Sequence, residues 1–313
     1  MSDSSHYKVI IIGSGPAGLT AAIYAARANL NPLILEGSQP GGQLTITTEV
    51  ENYPGFAEGI TGPQLMDEMR KQATRFGSVS KFEIVTDVDF SKKPFKVTAE
   101  KKKYTTDSII IATGATARWL GIESEQKYMG FGVSACATCD GFFFKEKEII
   151  VVGGGDSAME EATFLTKFAS KVYIVHRREG FRSSKIMLDK AQKNEKIEFM
   201  LNKVIEEIRG ERNVESVVLN DTQNGEKSEM KIDGIFMAIG HIPNTQVFAD
   251  KIDSDESGYL KTEPGSTRTN IEGVFACGDA TDPTYRQAIS AAGAGCRAAI
   301  DAERWLETAA VEA

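Results

Sequence analysis

A β-branched strand that runs into a glycine turn and then a helix occurs twice in this 313-residue chain, and no other feature constrains its fold as much. The first copy is Val9–Ile12, the turn Gly13-Ser14-Gly15-Pro16-Ala17-Gly18, an alanine-rich helical stretch over Leu19–Ala28, and a strand Leu33-Ile34-Leu35 that ends on Glu36. Gly13 permits a tight turn, Gly15 lets the backbone approach a pyrophosphate, and Gly18 lets helix and strand pack closely. The helix N-terminus offers free N–H groups and a favourable dipole to phosphate. Glu36, 23 residues after Gly13, is placed to accept ribose hydroxyls. The second copy is Ile149–Val152, the turn Gly153-Gly154-Gly155-Asp156-Ser157-Ala158, and a strand Lys171–Val175 that ends on His176. The offset is 140 residues from Gly13 to Gly153 and again from Glu36 to His176. Two Rossmann-like nucleotide-binding units of α/β class are expected, related by duplication.

The copies differ where the ribose is read. In place of the acid the second has His176-Arg177-Arg178, with Arg182 following. A carboxylate repels a 2′-phosphate, whereas guanidinium groups bind it bidentately. The first site therefore suits FAD or NAD and the second NADP; a merely solvated basic turn is the plainer alternative, and the register with Glu36 speaks against it.

Closing strands repeat as well. Ser108–Ala112 ends on Thr113-Gly114, and Gly234–Ala238 ends on Ile239-Gly240, 126 residues later. A linker, Ala115–Arg118, follows the first, and a stretch stiffened by Pro243 follows the second. These crossings bracket residues 118–246 as a domain inserted into a discontinuous one made of 1–117 and 247–313. Further on, Gly273–Cys277 reads as a strand reaching Gly278-Asp279, and Arg286-Gln287-Ala288 opens a helix over Ile289–Leu306. An aspartate at a strand end suits a polyol chain, and a helix N-terminus suits a reduced flavin's negative edge. The tail from Thr308 is expected to fray.

Between the two units lies Ala135-Cys136-Ala137-Thr138-Cys139-Asp140-Gly141. A CxxC closes a small disulfide ring or holds two corners of a metal site, and the metal reading needs a second ligand pair. None is present, since Cys277 and Cys296 stand alone as small core residues and His6, His176 and His241 are scattered. No metal is expected, and the pair reads as a redox disulfide. Asp140 is either an acid/base beside the second sulfur, its pKa raised by burial, or an ordinary cap or turn aspartate.

A net charge of −8 argues against nucleic acid and anionic membrane as partners. Lys92, Lys93, Lys96, Lys101, Lys102 and Lys103 flank alternating Phe95, Val97 and Tyr104, the pattern of a hairpin's solvated face. Polar Met1–His6 carries no targeting signal, and a reducing cytoplasm is the expected location. Phe142-Phe143-Phe144 reads equally as apolar contact for a partner or as a buried strand.

Taken with Gly41-Gly42-Gln43, Glu51-Asn52-Tyr53-Pro54-Gly55 and Gly278-Asp279, these motifs resemble the low-molecular-weight thioredoxin reductases over nearly the whole chain. Cys-Ala-Thr-Cys-Asp-Gly between two nucleotide units is the specific part. The resemblance implies FAD in the outer domain, held by Gly13–Gly18, Glu36, Gly37, Gly42, Gln43, Asn52, Thr113, Gly114, Gly278, Asp279, Arg286, Gln287 and Ala288. It implies NADPH in the inserted domain, at Gly153, Gly155, Asp156, Ser157, Ala158, His176, Arg177, Arg178, Arg182 and Gly240. It also implies a homodimer and thioredoxin as the disulfide substrate. Cys139 would face the flavin, Cys136 would attack thioredoxin, and Asp140 would serve as acid/base. Many members carry a basic residue where this chain has Phe131.

Other functions fit less well. A ferredoxin– or flavodoxin–NADP reductase of this architecture lacks the CxxC. The flavoprotein of an alkyl hydroperoxide reductase has an extra N-terminal module, whereas the first nucleotide strand here begins at Val9. A redox sensor that binds dinucleotide without turnover needs neither the dithiol nor two complete sites.

Overall fold

The computed structural model describes residues 5–47, 49–100 and 102–312. Met1–Ser4 of the polar start, Lys101 of the lysine cluster and Ala313 of the tail lie outside the described residues. The chain forms two compact units, Met1–Thr116 with Ile242–Ala313, and Ala117–His241. The second crossing falls at 241/242 rather than 246/247 because the residues after it are tied to the outer unit. The Asn244 backbone N–H donates to Gly114 O at 2.9 Å, its side-chain amide donates to Thr113 O at 3.0 Å, and Thr245 Oγ1 donates to Gly258 O at 2.7 Å.

The outer unit begins with β1 (Ser5–Ile12), α1 (Pro16–Arg27) and β2 (Leu33–Leu35). A 3₁₀ turn over Gly42–Ile46 precedes a small pair, β3 (Glu49–Val50) and β4 (Ile60–Thr61). Then follow α2 (Gly62–Arg75), β5 (Val79–Lys81), β6 (Val85–Asp89), β7 (Phe95–Ala99), β8 (Lys102–Ile111) and β9 (Ala115–Ala117). Among the described residues the main sheet has the order β5-β2-β1-β8-β7-β6. β8 is shared along its length: Lys102–Thr106 pair antiparallel with β7, and beyond them Ile109–Ile111 take a parallel strand from the C-terminal part, Val274–Ala276. The four apolar residues Val9–Ile12 are buried because β1 is covered on both faces, as central parallel strands are. Val9 and Ile11 pack with α1, α2 and the C-terminal helix, while Ile10 and Ile12 pack with Val85, Phe95, Val97 and Phe248. The hairpin read from the lysine pattern is β7–β8: Phe95, Val97 and Tyr104 point inward, and Lys96, Lys102 and Lys103 are exposed.

The inserted unit contains α3 (Glu123–Lys127), β10 (Val133–Ser134), α4 (Ala137–Asp140), β11 (Glu148–Val152), α5 (Asp156–Leu165), β12 (Lys171–His176) and α6 (Lys185–Gln192). It continues with β13 (Ile197–Leu201), β14 (Lys203–Arg209), β15 (Ser216–Asp221), β16 (Lys227–Lys231) and β17 (Gly234–Met237). Its parallel sheet has the order β10-β17-β11-β12-β13, and β14-β15-β16 form an antiparallel sheet. Ile149 and Val151 of β11 pack with α5, while Ile150 and Val152 face Ile205, Val217 and Leu219.

The chain returns through β18 (His241–Pro243), which pairs with β9, so the linker expected at Ala115–Arg118 is a short strand over Ala115–Ala117. β19 (Val274–Ala276) and α7 (Ala288–Glu312) complete the outer unit. The helix does not fray at Thr308. No proline or glycine interrupts it after Gly295, and Thr308 Oγ1 donates to Arg304 O at 3.0 Å. Cys277 is fully buried as expected, whereas Cys296 is only partly so.

Candidate functional site

The first glycine turn opens a cavity of about 440 Å³ in the outer unit. A β-carbon on Gly13 would come 2.3 Å from Ala112 O and one on Gly18 2.0 Å from Gly13 O, whereas one on Gly15 meets nothing within 4 Å. The first two glycines thus let β1, β8 and α1 close on one another, and the third leaves space in the wall where α1 begins. Ser14, Pro16, Ala17, Glu36, Gly37, Gly42, Gln43, Thr113, Gly114, Asp279, Arg286, Gln287 and Ala288 line the same cavity. Asn52 stands outside it, its side-chain amide donating to Gln287 Oε1 at 3.3 Å.

In the lining of the cavity, Asp279 Oδ1 and Thr113 Oγ1 are buried without a hydrogen-bond partner. Burial pushes the Asp279 carboxyl up to about 6, Asp282 adds to the rise, and Arg286 opposes it. Orphaned acceptors cost free energy unless a ligand supplies donors. A cofactor with a hydroxylated chain supplies them, so the residues present fit FAD. The loop before α7 is set by Asp282, whose carboxylate accepts from the N–H groups of Thr284, Tyr285 and Arg286.

Glu36 has other company than a ribose. Arg70 of α2 forms a fork on it, Nε to Oε1 at 3.1 Å and Nη2 to Oε2 at 2.7 Å, and Ser80 of β5 donates to Oε1. Burial alone raises the carboxyl, but the hydrogen bonds from Arg70 and Ser80 outweigh it and hold Glu36 below the usual range.

In the inserted unit a β-carbon on Gly153 would strike Ala238 O at 2.4 Å, while Gly155 again faces open space before α5. Asp156 Oδ1 accepts from the Ser184 N–H at 2.6 Å, and Arg182 N–H donates to Gly154 O at 2.8 Å, folding residues 177–184 back over the turn. Arg177, Arg178 and Arg182 are exposed there. His176 is not: it is buried, stacked on Phe181 with ring centres 5.0 Å apart, and bonded through Nε2 to Gly180 O at 3.1 Å. Burial, then the neighbouring arginines, lower its pKa despite the bond to Gly180, so it adds no charge for a phosphate at neutral pH. Three cations beside an open glycine turn fit a 2′-phosphorylated dinucleotide.

Cys136 and Cys139 form a disulfide with Cα atoms 5.3 Å apart. Cys136 caps the short helix α4, accepting from Cys139 N–H at 3.3 Å and Asp140 N–H at 3.1 Å. Gly141 lies against Leu165 and Phe168, which places this end of α4 at the far end of α5 from the glycine turn. Asp140 makes no cap bond; its Oδ2 accepts from Ser134 Oγ at 2.5 Å. Burial pushes its carboxyl up, and the Ser134 bond partly offsets that. Asp140 thus stands at the junction of α4 and the following 3₁₀ turn without a side-chain cap bond. Phe142–Phe144 is a 3₁₀ turn rather than a strand, with Phe144 buried and Phe142 and Phe143 exposed. Among the described residues no cluster of histidine, cysteine and carboxylate fits a metal, and no helix is long and apolar enough to cross a membrane.

Sequence reasoning missed Arg70, Ser80, Ser134 and Asn244. Each is a single polar residue without a motif, and the first two meet Glu36 across 34 and 44 residues of chain.

Comparison with known proteins agrees with this arrangement. The family model described as pyridine nucleotide-disulphide oxidoreductase matches residues 7–295. A thioredoxin reductase of Rickettsia bellii is 58% identical over 303 residues, covering 96% of this chain and 98% of that one. One from Mycolicibacterium smegmatis is 55% identical over 300 residues, covering 96% of each. The solved structure of thioredoxin reductase from Giardia duodenalis has a TM-score of 0.92 at 44% identity, covering 97% of this chain and 100% of that one. With two glycine-turn units, a CxxC and such relatives, the chain belongs to the thioredoxin reductases of the pyridine nucleotide-disulphide oxidoreductase family.

Proposed function

We propose that the chain carries an electron pair from NADPH, bound at the second glycine turn, through FAD in the outer cavity to the Cys136–Cys139 disulfide, and from the dithiol to the disulfide of thioredoxin. The observation that carries this reading is the Cys136–Cys139 disulfide with a half-buried Asp140 beside it, its carboxyl raised by burial, in the same unit as the arginine-flanked turn. A flavin supplies the step between hydride and thiol chemistry; the remaining work falls to residues of the chain. The main-chain turn at Gly13–Gly18 and the α1 terminus face a pyrophosphate, and Asp279 accepts from the ribityl chain. Arg177, Arg178 and Arg182 hold the 2′-phosphate.

In the dithiol, the Cys136 thiolate attacks one sulfur of the thioredoxin disulfide, breaking that bond and forming a mixed disulfide. That step expels the other thioredoxin sulfur as a thiolate; Cys139 Sγ then attacks Cys136 Sγ, which closes the internal disulfide and releases the thioredoxin sulfur that Cys136 had attacked. Two protons end on thioredoxin, and Asp140 passes protons to and from the cysteine pair.

Within the inserted unit, the disulfide lies before β11 and the nucleotide turn after it, a strand of about 13–17 Å at 3.3 Å per residue. Hydride transfer needs reacting atoms about 3–3.5 Å apart. The inserted unit must therefore present its two ends in turn, and the crossings β9 and β18 are the hinge. A homodimer in the cytoplasm completes the proposal, with the exposed Tyr24 and Ile289 of α1 and α7 as apolar surface for a second copy.

The test is spectroscopic. Purified protein should be yellow, bleach with NADPH, and recover its colour on adding oxidised thioredoxin. Cys136→Ser should still bleach but no longer recover, and a mixed disulfide should be trapped through Cys136 in Cys139→Ser alone. Trapping only through Cys139 would reverse the assignment, and a protein that never bleaches with NADPH would refute it.

A further inference from the structure

We propose that Ser134 is a positioning residue of the redox site, its hydroxyl joining the backbone of Cys136 to the Asp140 carboxyl and holding that carboxyl in place as it gains and loses a proton. The inference rests on the acid/base reading of Asp140 and deepens it.

Ser134 ends β10, and its backbone is fixed in the parallel sheet opposite Phe236 of β17. Its side chain is buried and makes three approaches. The hydroxyl donates to Asp140 Oδ2 at 2.5 Å, the oxygen–oxygen separation of a hydrogen bond to a charged acceptor. The same oxygen accepts from the Cys136 N–H at 3.0 Å. Cys136 O lies 3.5 Å away, at the edge of hydrogen-bonding range.

A hydroxyl has one hydrogen and two lone pairs, whereas a carboxylate only accepts until it is protonated and then also donates. While Asp140 is ionised, Ser134 gives it the hydrogen. Once Asp140 carries a proton, it can donate to Ser134 Oγ, and the hydroxyl hydrogen turns to Cys136 O. Both protonation states of Asp140 thus keep a partner, and the carboxyl has no reason to swing away from the cysteines between half-reactions. Alanine supplies neither bond, and threonine supplies both.

Burial raises the Asp140 carboxyl, and the hydrogen bond from Ser134 lowers it. The following turn, Gly141–Phe144, is apolar, and the facing β17 is Gly-Ile-Phe-Met. Helix α5, which packs against α4, carries the carboxylates Asp156, Glu160 and Glu161. On α4 itself the only other residue with redox or acid chemistry is Cys139, disulfide-bonded to Cys136 at the helix cap.

The test uses FAD-loaded enzyme in four forms, Ser134→Ala, Ser134→Thr, Asp140→Asn and the Ser134→Ala/Asp140→Asn double variant, with flavin content confirming the fold. Turnover on thioredoxin is followed from pH 5.5 to 9, together with the alkylation rate of the NADPH-reduced cysteines by iodoacetamide. Ser134→Ala should lower kcat on the order of tenfold, the scale of one hydrogen bond to a charged group, with KM for NADPH unchanged. It should also move the acid limb of the profile to higher pH, because removing the donor favours the protonated carboxyl. Ser134→Thr should restore both, and Ser134→Ala should add nothing in the Asp140→Asn background. A lowered kcat with an unmoved acid limb, or an equal loss in both backgrounds, would mean that Ser134 is merely structural. Undiminished turnover in Asp140→Asn would instead remove the acid/base reading, and this role for Ser134 with it.

Discussion

The imidazole of His176 fills the space that Gly154 leaves: a β-carbon there would fall 2.2 Å from its Cε1 and 2.4 Å from its Nδ1. Contacts below 3 Å force one partner to move, and His176 is pinned by Phe181 and Gly180. Gly154→Ala should therefore displace the segment after β12 that carries the arginines. We expect KM for NADPH to rise about tenfold or more, the effect of roughly 1.4 kcal/mol of lost binding, with flavin content unchanged. Steady-state kinetics beside the flavin absorbance checks both halves, and an unaltered KM would show that the ring yields without consequence.

Arg177 and Arg178 are two of the three exposed cations at that turn, and His176 is neutral at physiological pH. Charge-assisted bonds are each worth about 1.5–3 kcal/mol. Arg177→Gln with Arg178→Gln should raise KM for NADPH a hundredfold or more and leave KM for NADH nearly unchanged. The ratio of kcat/KM for the two coenzymes is the quantity to measure. If it does not move, the 2′-phosphate binds elsewhere.

Much of this was legible in the chain because the signals are local. Val9–Ile12 and Ile149–Val152 are uninterrupted β-branched runs, and the glycines at 13, 18 and 153 sit where a β-carbon meets a carbonyl at 2.0–2.4 Å. The requirement is written into a few adjacent residues. His176 was legible as a position but not as a role, since the register with Glu36 fixes where it lies and only packing shows that it faces Gly154. Arg70 and Ser80 could not be read, because what gives them meaning is a carboxylate they reach only after folding. The crossing at 241/242 depends on single polar residues, Asn244 bonded to Thr113 and Gly114 and Thr245 bonded to Gly258, and no periodicity marks such residues.

The side chain of Glu36 has no solvent exposure, and Arg70 is its counter-charge. Removing one partner of a buried pair costs about 3–5 kcal/mol because the other is left uncompensated. Arg70→Met should destabilise the protein by that order at pH 7. The sign of the pH dependence follows from Glu36, whose folded-state pKa lies below its unfolded one. The stabilisation is present above the unfolded value and lost as pH falls through the folded one. The gap between Arg70→Met and the parent should thus be wide at pH 7 and close below about pH 4, the ordinary carboxylate range. Denaturant titrations at the two pH values measure it, and a gap independent of pH would assign the loss to packing of Arg70 on Phe82 instead.

Asp279 gives the opposite sign. Its carboxyl is pushed up to about 6, so the folded chain without cofactor holds this proton more tightly than the unfolded chain does. Stability contributed by that proton is present at low pH and is lost as pH rises from the ordinary aspartate value to about 6. A rise of roughly two units corresponds to at most about 3 kcal/mol. Asp279→Asn keeps the shape and removes the charge, so FAD-stripped protein should melt higher in the variant than in the parent at pH 8, with no difference below pH 4. Loading FAD should reverse the order at pH 8. The parent carboxylate then gains hydroxyl donors for the buried Oδ1, whereas the amide accepts more weakly and brings an N–H group that meets no acceptor. The variant should bind FAD at least tenfold more weakly by recovery of free-flavin fluorescence. If stripped and loaded proteins respond to Asp279→Asn alike, Asp279 does not face the cofactor.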